Sequence, residues 1–93
     1  MTNTGYQLLK LCKATGLHFD VCYEDDVEAA ADYTAPLNLL WSEATACDSA
    51  TVRFEDDSWV HLIHYNDPDE TISDYSLGGM AAKAVEAMEG GAS

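Results

Sequence analysis

Residues 51–65 read TVRFEDDSWVHLIHY, and their periodicity decides the fold. Val52 and Phe54 alternate with Thr51, Arg53 and Glu55, and after Asp56-Asp57-Ser58 a second run extends from Trp59 to Tyr65. Two runs of period 2 separated by a short polar connection predict a β-hairpin with one buried face. A three-residue loop pairs Glu55 with Trp59 and puts Val52, Phe54, Val60 and Leu62 on one face. A two-residue Asp56-Asp57 loop would set Val52 opposite His61 and Arg53 opposite Val60, mixing polar and apolar side chains. Because a one-residue slip reverses every face, the three-residue register is preferred. Trp59, Ile63 and Tyr65 then lie on the outer face, as a second core layer or an interface.

Upstream, Tyr6, Leu8, Leu9, Leu11 and Cys12 recur at near-helical spacing and predict a helix over 5–14, stopped by Gly16. Leu17, Phe19, Val21 and Tyr23 alternate with His18, Asp20, Cys22 and Glu24, a third strand. Asp25 or Asp26 can cap a helix through Val27 to Asp32, with Glu28 near its positive end. Thr34-Ala35-Pro36 interrupts it. Pro36 suits a first turn, and Leu37, Leu40 and Trp41 share the face of a further short helix. Downstream, Asn66-Asp67-Pro68-Asp69 reads as a turn. A closing helix from about Leu77 to Glu89 carries Met80, Ala81, Val85 and Met88 and ends at Gly90-Gly91, with Ser76 as its N-cap. The expectation is a small α+β fold: an antiparallel sheet of about three strands, including the 51–65 hairpin, with helices on one face. Residues 1–93 form a single domain.

Charge is the second informative feature. The chain has 17 Asp and Glu against four Lys and Arg, a net charge of -13. No cation lies between Lys13 and Arg53 or between Arg53 and Lys83, and those two gaps hold 15 of the 17 carboxylates. One-signed fields raise the free energy of the compact state by self-repulsion, so something offsets that cost. Hydrophobic residues make up 47% of the chain and nine residues are aromatic, which excludes a disordered acidic tail. No apolar run approaches 18 residues, and the N-terminal MTNTGYQLLK lacks the pattern of a secretory signal, so a cytoplasmic location is expected. Cys12, Cys22 and Cys47 are odd in number, without a CxxC pair, and read as buried thiols.

Few residues suggest catalysis or metal binding. His61 and His64 are three apart in a strand and point to opposite faces, so they do not close on one ion; His64 reads as a hydrogen-bonded core histidine. The run from Asp67 lacks the glycine of a calcium loop at its sixth position, which is Ile72, and the bidentate glutamate at its twelfth. In Asp74-Tyr75-Ser76-Leu77, Tyr75 breaks the Asp-Ser-Leu of acyl carrier proteins. There is no nucleophile elbow and no phosphate-binding glycine loop. The expectation is a non-enzyme with no cofactor and no metal.

Direct nucleic-acid binding has the wrong sign of charge, since phosphate contacts need Lys and Arg. The inverse fits: a surface that occupies the basic groove of a DNA-binding protein or complex. Carboxylates stand in for phosphates because Arg pairs with both in similar bidentate geometry. The candidate surrogates are Asp20, Glu24, Asp25, Asp26, Glu28, Asp32, Glu55, Asp56, Asp57, Asp67, Asp69, Glu70 and Asp74. A chain of this length is about 30 Å across, and 30 Å of duplex carries about 18 charges. That is the order of the net charge here. Two other readings share the composition: an acidic module that neutralises some other basic protein, as an antitoxin does, and a small domain adapted to a high-salt cytoplasm.

In length, charge, acid-only stretches and the hairpin Phe54-Glu55-Asp56-Asp57-Ser58-Trp59-Val60 followed by an acidic turn and a helix, the chain resembles the small acidic anti-CRISPR proteins of phages. It resembles in particular those that imitate DNA and occupy the DNA-recruiting surface of a type I CRISPR surveillance complex. The resemblance covers architecture over about half the chain, and these inhibitors share no diagnostic motif. It implies a stoichiometric blocker in the host bacterial cytoplasm, without catalysis, cofactor or metal. By the same analogy Asp25, Asp26, Asp56, Asp57, Asp67, Asp69 and Glu70 are the foremost surrogates. The strand and the helix-Pro-helix segment before the hairpin depart from that pattern.

Overall fold

The computed structural model describes residues 3–23, 29–46, 48–64, 71–76 and 78–91. They form, in order, α1 (Thr4–Ala14), β1 (Phe19–Tyr23), β2 (Ala31–Asp32), α2 (Leu37–Ala44), β3 (Ser49–Phe54), β4 (Trp59–Ile63), β5 (Ile72–Tyr75) and α3 (Gly79–Gly91). The strands make one antiparallel sheet in the order β2-β1-β3-β4-β5. The α+β class holds, and the sheet has five strands where about three were expected.

The hairpin of β3 and β4 sits mid-sheet. Val52 pairs with Val60 and Ala50 with Leu62, and on the other side Val21 pairs with Val52 and Phe19 with Phe54. One parity of all three strands therefore faces the same way, and Phe19, Val21, Val52, Phe54, Val60 and Leu62 are each 3% exposed or less. The expected face is correct, but the register is two residues from the expected one. The loop is Glu55-Asp56-Asp57, closed by Phe54 N–H to Ser58 O at 2.8 Å and Asp57 N–H to Phe54 O at 3.1 Å. Asp57 takes a φ of 69°, the left-handed residue with which three-residue hairpin loops end, and Asp tolerates it better than most. A shift of two preserves the faces, so hydrophobic patterning alone does not separate the two registers.

The buried strand residues form one cluster with Leu8, Leu9 and Cys12 of α1, Leu40 and Ala44 of α2, and Ala81, Ala84 and Val85 of α3. The helices thus cover a single face of the sheet. Helix α2 packs over β1 to β3 and against α1, and α1 packs against α3. Helix α1 is capped by Asn3, whose Oδ1 accepts from Gly5 N–H at 2.8 Å. It ends where Gly16, at φ 75°, lets Leu17 N–H reach Cys12 O and Gly16 N–H reach Lys13 O, a Schellman stop. Cys12 and Cys22 are buried thiols as expected, and burial pushes the Cys12 thiol up to about 12; Cys47 lies outside the described residues.

Two further expectations are corrected, and one strand is added. Ala31 and Asp32, placed in a helix over 27–32, are instead β2, paired with Val21 and Asp20. A helix there would have only Val27 and three alanine methyls to bury, whereas the free edge of β1 offers the carbonyls of Val21 and Phe19. Ala30 and Tyr33 N–H take these at 2.8 Å each. Val27 and Glu28 lie outside the described residues, as do the proposed cap at Asp25 or Asp26, the turn at 66–69 and Leu77. Ile72–Tyr75 forms an edge strand on β4, with a register irregularity at His61/Leu62. Ser76 is not the cap of α3: it continues the β5 edge, its N–H donating to Trp59 O and its Oγ accepting from Trp59 N–H, both at 3.0 Å. His64 is the expected hydrogen-bonded histidine, its Nε2 donating to Ala44 O and its ring edge-on to Trp41.

Candidate partner-binding surface

The elements sort the charges. The helices carry Lys10, Lys13 and Lys83 against Glu43, Glu86 and Glu89, so their formal charges cancel. The described strands and connections hold Asp20, Asp32, Asp48, Glu55, Asp56, Asp57 and Asp74 with Arg53 alone, and the other seven carboxylates outside the helices lie outside the described residues. Since the helices cover only one face, the described acidic residues of the strands lie on the other face and at the edges and ends of the sheet.

Across the outer face runs a row in direct register: Asp32 of β2, Asp20 of β1, Arg53 of β3 and Trp59 of β4. Two carboxylates opposite each other on antiparallel strands repel. Arg53 Nη2 lies 3.8 Å from Asp20 Oδ2 and offsets part of that repulsion, on side chains about a third exposed. Asp32 is exposed, and its Oδ1 accepts from the Thr34 hydroxyl and from Thr34 N–H, which hold its carboxyl below the usual range. At the opposite edge Asp74 is exposed beside His61, and its Oδ1 accepts from Tyr75 N–H at 2.8 Å.

At the hairpin end of the sheet stand Glu55, Asp56 and Asp57, all exposed. Glu55 lies 3.5 Å from His18 Nδ1, and the His18 ring stacks on Tyr33 with centroids 4.1 Å apart. Together with Asp20, Arg53 and Phe54 they line an open notch of about 210 Å³. Asp57 projects from the tip of the loop.

Asp56 does something else. Its Oδ1 accepts from Ser58 N–H and the Ser58 hydroxyl, and its Oδ2 accepts from Met80 N–H at 2.9 Å, in the first turn of α3. Ser58 Oγ in turn accepts from Ala81 N–H at 3.0 Å. The hairpin loop therefore caps a helix more than twenty residues away, placing a carboxylate at its positive end. The Ser58 hydroxyl, then the Met80 and Ser58 N–H groups, hold the Asp56 carboxyl below its usual range. Gly79 at φ 74° completes the fit, since a Cβ there would lie 2.8 Å from Asp56 Oδ2. Sequence reading missed this cap. The available signal was the Gly78-Gly79 pair, which sets the start of the helix away from Ser76, alongside an Asp-x-Ser turn that could supply a cap.

Of the thirteen candidate surrogates, the structure brings Asp20, Asp32, Glu55, Asp56, Asp57 and Asp74 onto the outer face, the edges and the hairpin end. Glu24, Asp25, Asp26, Glu28, Asp67, Asp69 and Glu70 lie outside the described residues. Trp59 and Ile63 are half-buried on the outer face, and Tyr65 lies outside the described residues. Among the described residues no three His, Cys, Asp or Glu side chains gather to hold a metal ion, and no helix is long and apolar enough to cross a membrane. Compared with protein families, curated proteins and solved structures, the chain matches none.

Proposed function

We propose that this protein is an acidic DNA mimic that occupies the DNA-binding surface of a type I CRISPR surveillance complex and blocks recruitment of target DNA. The observation that carries the reading is the segregation of charge, with the whole -13 outside the three helices. The longest axis of the molecule is 33 Å, and that length of duplex carries about 19 phosphate charges. The net charge of -13 is of that order, and Asp20, Asp32 and Asp74 with the hairpin end Glu55, Asp56 and Asp57 present the described part of it to a basic groove. The mechanism is occupancy at one inhibitor per complex, without turnover or cofactor, in the bacterial cytoplasm.

The role of Asp56 shapes the test. Reversing Asp56 would remove the cap of α3 along with a surface charge, so the informative variant is Glu55→Lys/Asp57→Lys, which leaves that cap in place. In a mobility-shift assay, stoichiometric wild-type protein should abolish target-duplex binding by a purified type I complex, and excess duplex should restore it. The double variant should need at least tenfold more protein for the same effect. Inhibition should also weaken steeply with salt, since exposed charges are screened over about 8 Å at physiological ionic strength. An unaffected duplex band at stoichiometric protein would overturn the proposal.

A further inference from the structure

We propose that the helix layer is a self-association surface, on which a second copy of this chain docks across the groove between α1 and α3. The groove has a volume of about 190 Å³ and is lined by Leu11 and Leu17 on one side and Met80, Ala84 and Ala87 on the other, with Lys83 as its charged residue. Two chains of net charge -13 repel each other wherever their sheet layers meet. On the described helix residues Lys10, Lys13 and Lys83 stand against Glu43 and Glu86, so this face adds little like-charge repulsion to an approach.

The residues along α3 add complementarity. Lys83 and Glu86 are both exposed and stand about one turn apart on the same side of the helix. A two-fold contact is isologous, so with α3 antiparallel to its mate each Lys83 faces Glu86 of the second copy. Ala87, exposed beside them, lets the helices come close. Helices of 11 and 13 residues are only about 16 and 20 Å long, which places the contact at the low end of specific interface sizes and makes the dimer dissociate on dilution. Both acidic sheet layers stay uncovered in such a dimer. This inference rests on the charge partition and the groove, and stands whether or not a surveillance complex is the target.

Sedimentation velocity of the purified protein between about 1 µM and 1 mM tests it, in physiological salt. The wild-type mass should climb from 10.1 kDa towards twice that value. Ala87→Asp and Lys83→Glu should each hold the monomer mass throughout, with unchanged circular dichroism because both positions are exposed. The swap Lys83→Glu/Glu86→Lys should restore the dimer, and Asp57→Asn on the sheet layer should dimerise like wild type. A wild-type mass of 10.1 kDa at every concentration overturns the proposal. So does a dimer that survives Ala87→Asp, because its contact lies elsewhere.

Discussion

The helix layer and the sheet layer of this small protein obey different rules. On the helices every lysine has a carboxylate to balance it in number, as on an ordinary solvated surface. Outside the helices fourteen carboxylates share one arginine. Among the described residues the ion pairs His18–Glu55 and Arg53–Asp20 join strands and their connections rather than helix to sheet. Among the described residues, what joins the layers is apolar burial and a few hydrogen bonds: Lys13 Nζ to the carbonyls of Tyr33 and Ala35, the Tyr23 hydroxyl to Glu43, His64 Nε2 to Ala44 O, and the loop cap on α3. A fold can thus tolerate a one-signed layer when its cohesion depends little on charge pairing. The acidic layer is then free to serve recognition.

The strongest way to break this comparison is to open the seam. Leu8 of α1 is fully buried in the cluster shared by both layers. Leu8→Ala should destabilise the protein by about 2–5 kcal/mol, read from the midpoint of urea unfolding. A loss below 1 kcal/mol would mean that apolar burial at this position is not what holds the layers together. The loop cap should matter less. Ser58→Ala removes the acceptor of Ala81 N–H and should cost about 1 kcal/mol, while Asp57→Asn, one residue away at the exposed tip, should leave the midpoint unchanged. Equal effects of the two would erase the distinction between loop residues that build the fold and those that only charge its surface.

How much of this was legible beforehand varies by element. Alternation along Val52, Phe54, Val60 and Leu62 identified the buried face, because side-chain period constrains parity; it left the two-residue register shift open, because only the loop's backbone geometry distinguishes them. Asn3 and Gly16 bound α1 through local chemistry, and the helix was readable almost to its ends. The edge strands β2 and β5 were not. Ala31-Asp32 has no strand propensity of its own and is extended because β1 presents unpaired carbonyls, a demand that no local window contains. Charge density was visible in composition, but the row of Asp32, Asp20 and Arg53 across the outer face depends on which segments become strands. The cap from Asp56 is a tertiary contact across more than twenty residues, so a carboxylate indistinguishable from its neighbours in sequence turned out to be structural.

The subtlest test sets local anchors against the layer's self-repulsion as pH falls. Asp32 and Asp56 both have folded carboxyl pKa values below the ordinary 3.8, Asp32 through the Thr34 hydroxyl and N–H, Asp56 through the Ser58 hydroxyl and the N–H groups of Met80 and Ser58. A depressed carboxylate contributes stability that is fully present above its unfolded value and is lost as pH drops through its folded value. The self-repulsion of a one-signed chain changes in the opposite sense, easing as the net negative charge falls on acidification. Stability measured by urea midpoints should therefore rise slightly on acidification from pH 7 to about 4.5 and turn downward below about 3.8. Asp56→Asn should keep the rise and blunt the downturn, because the lost anchor no longer titrates. A monotonic fall from pH 7, with the variant parallel to wild type, would show that self-repulsion is not a material cost to this fold and that Asp56 does not hold α3 through its charge.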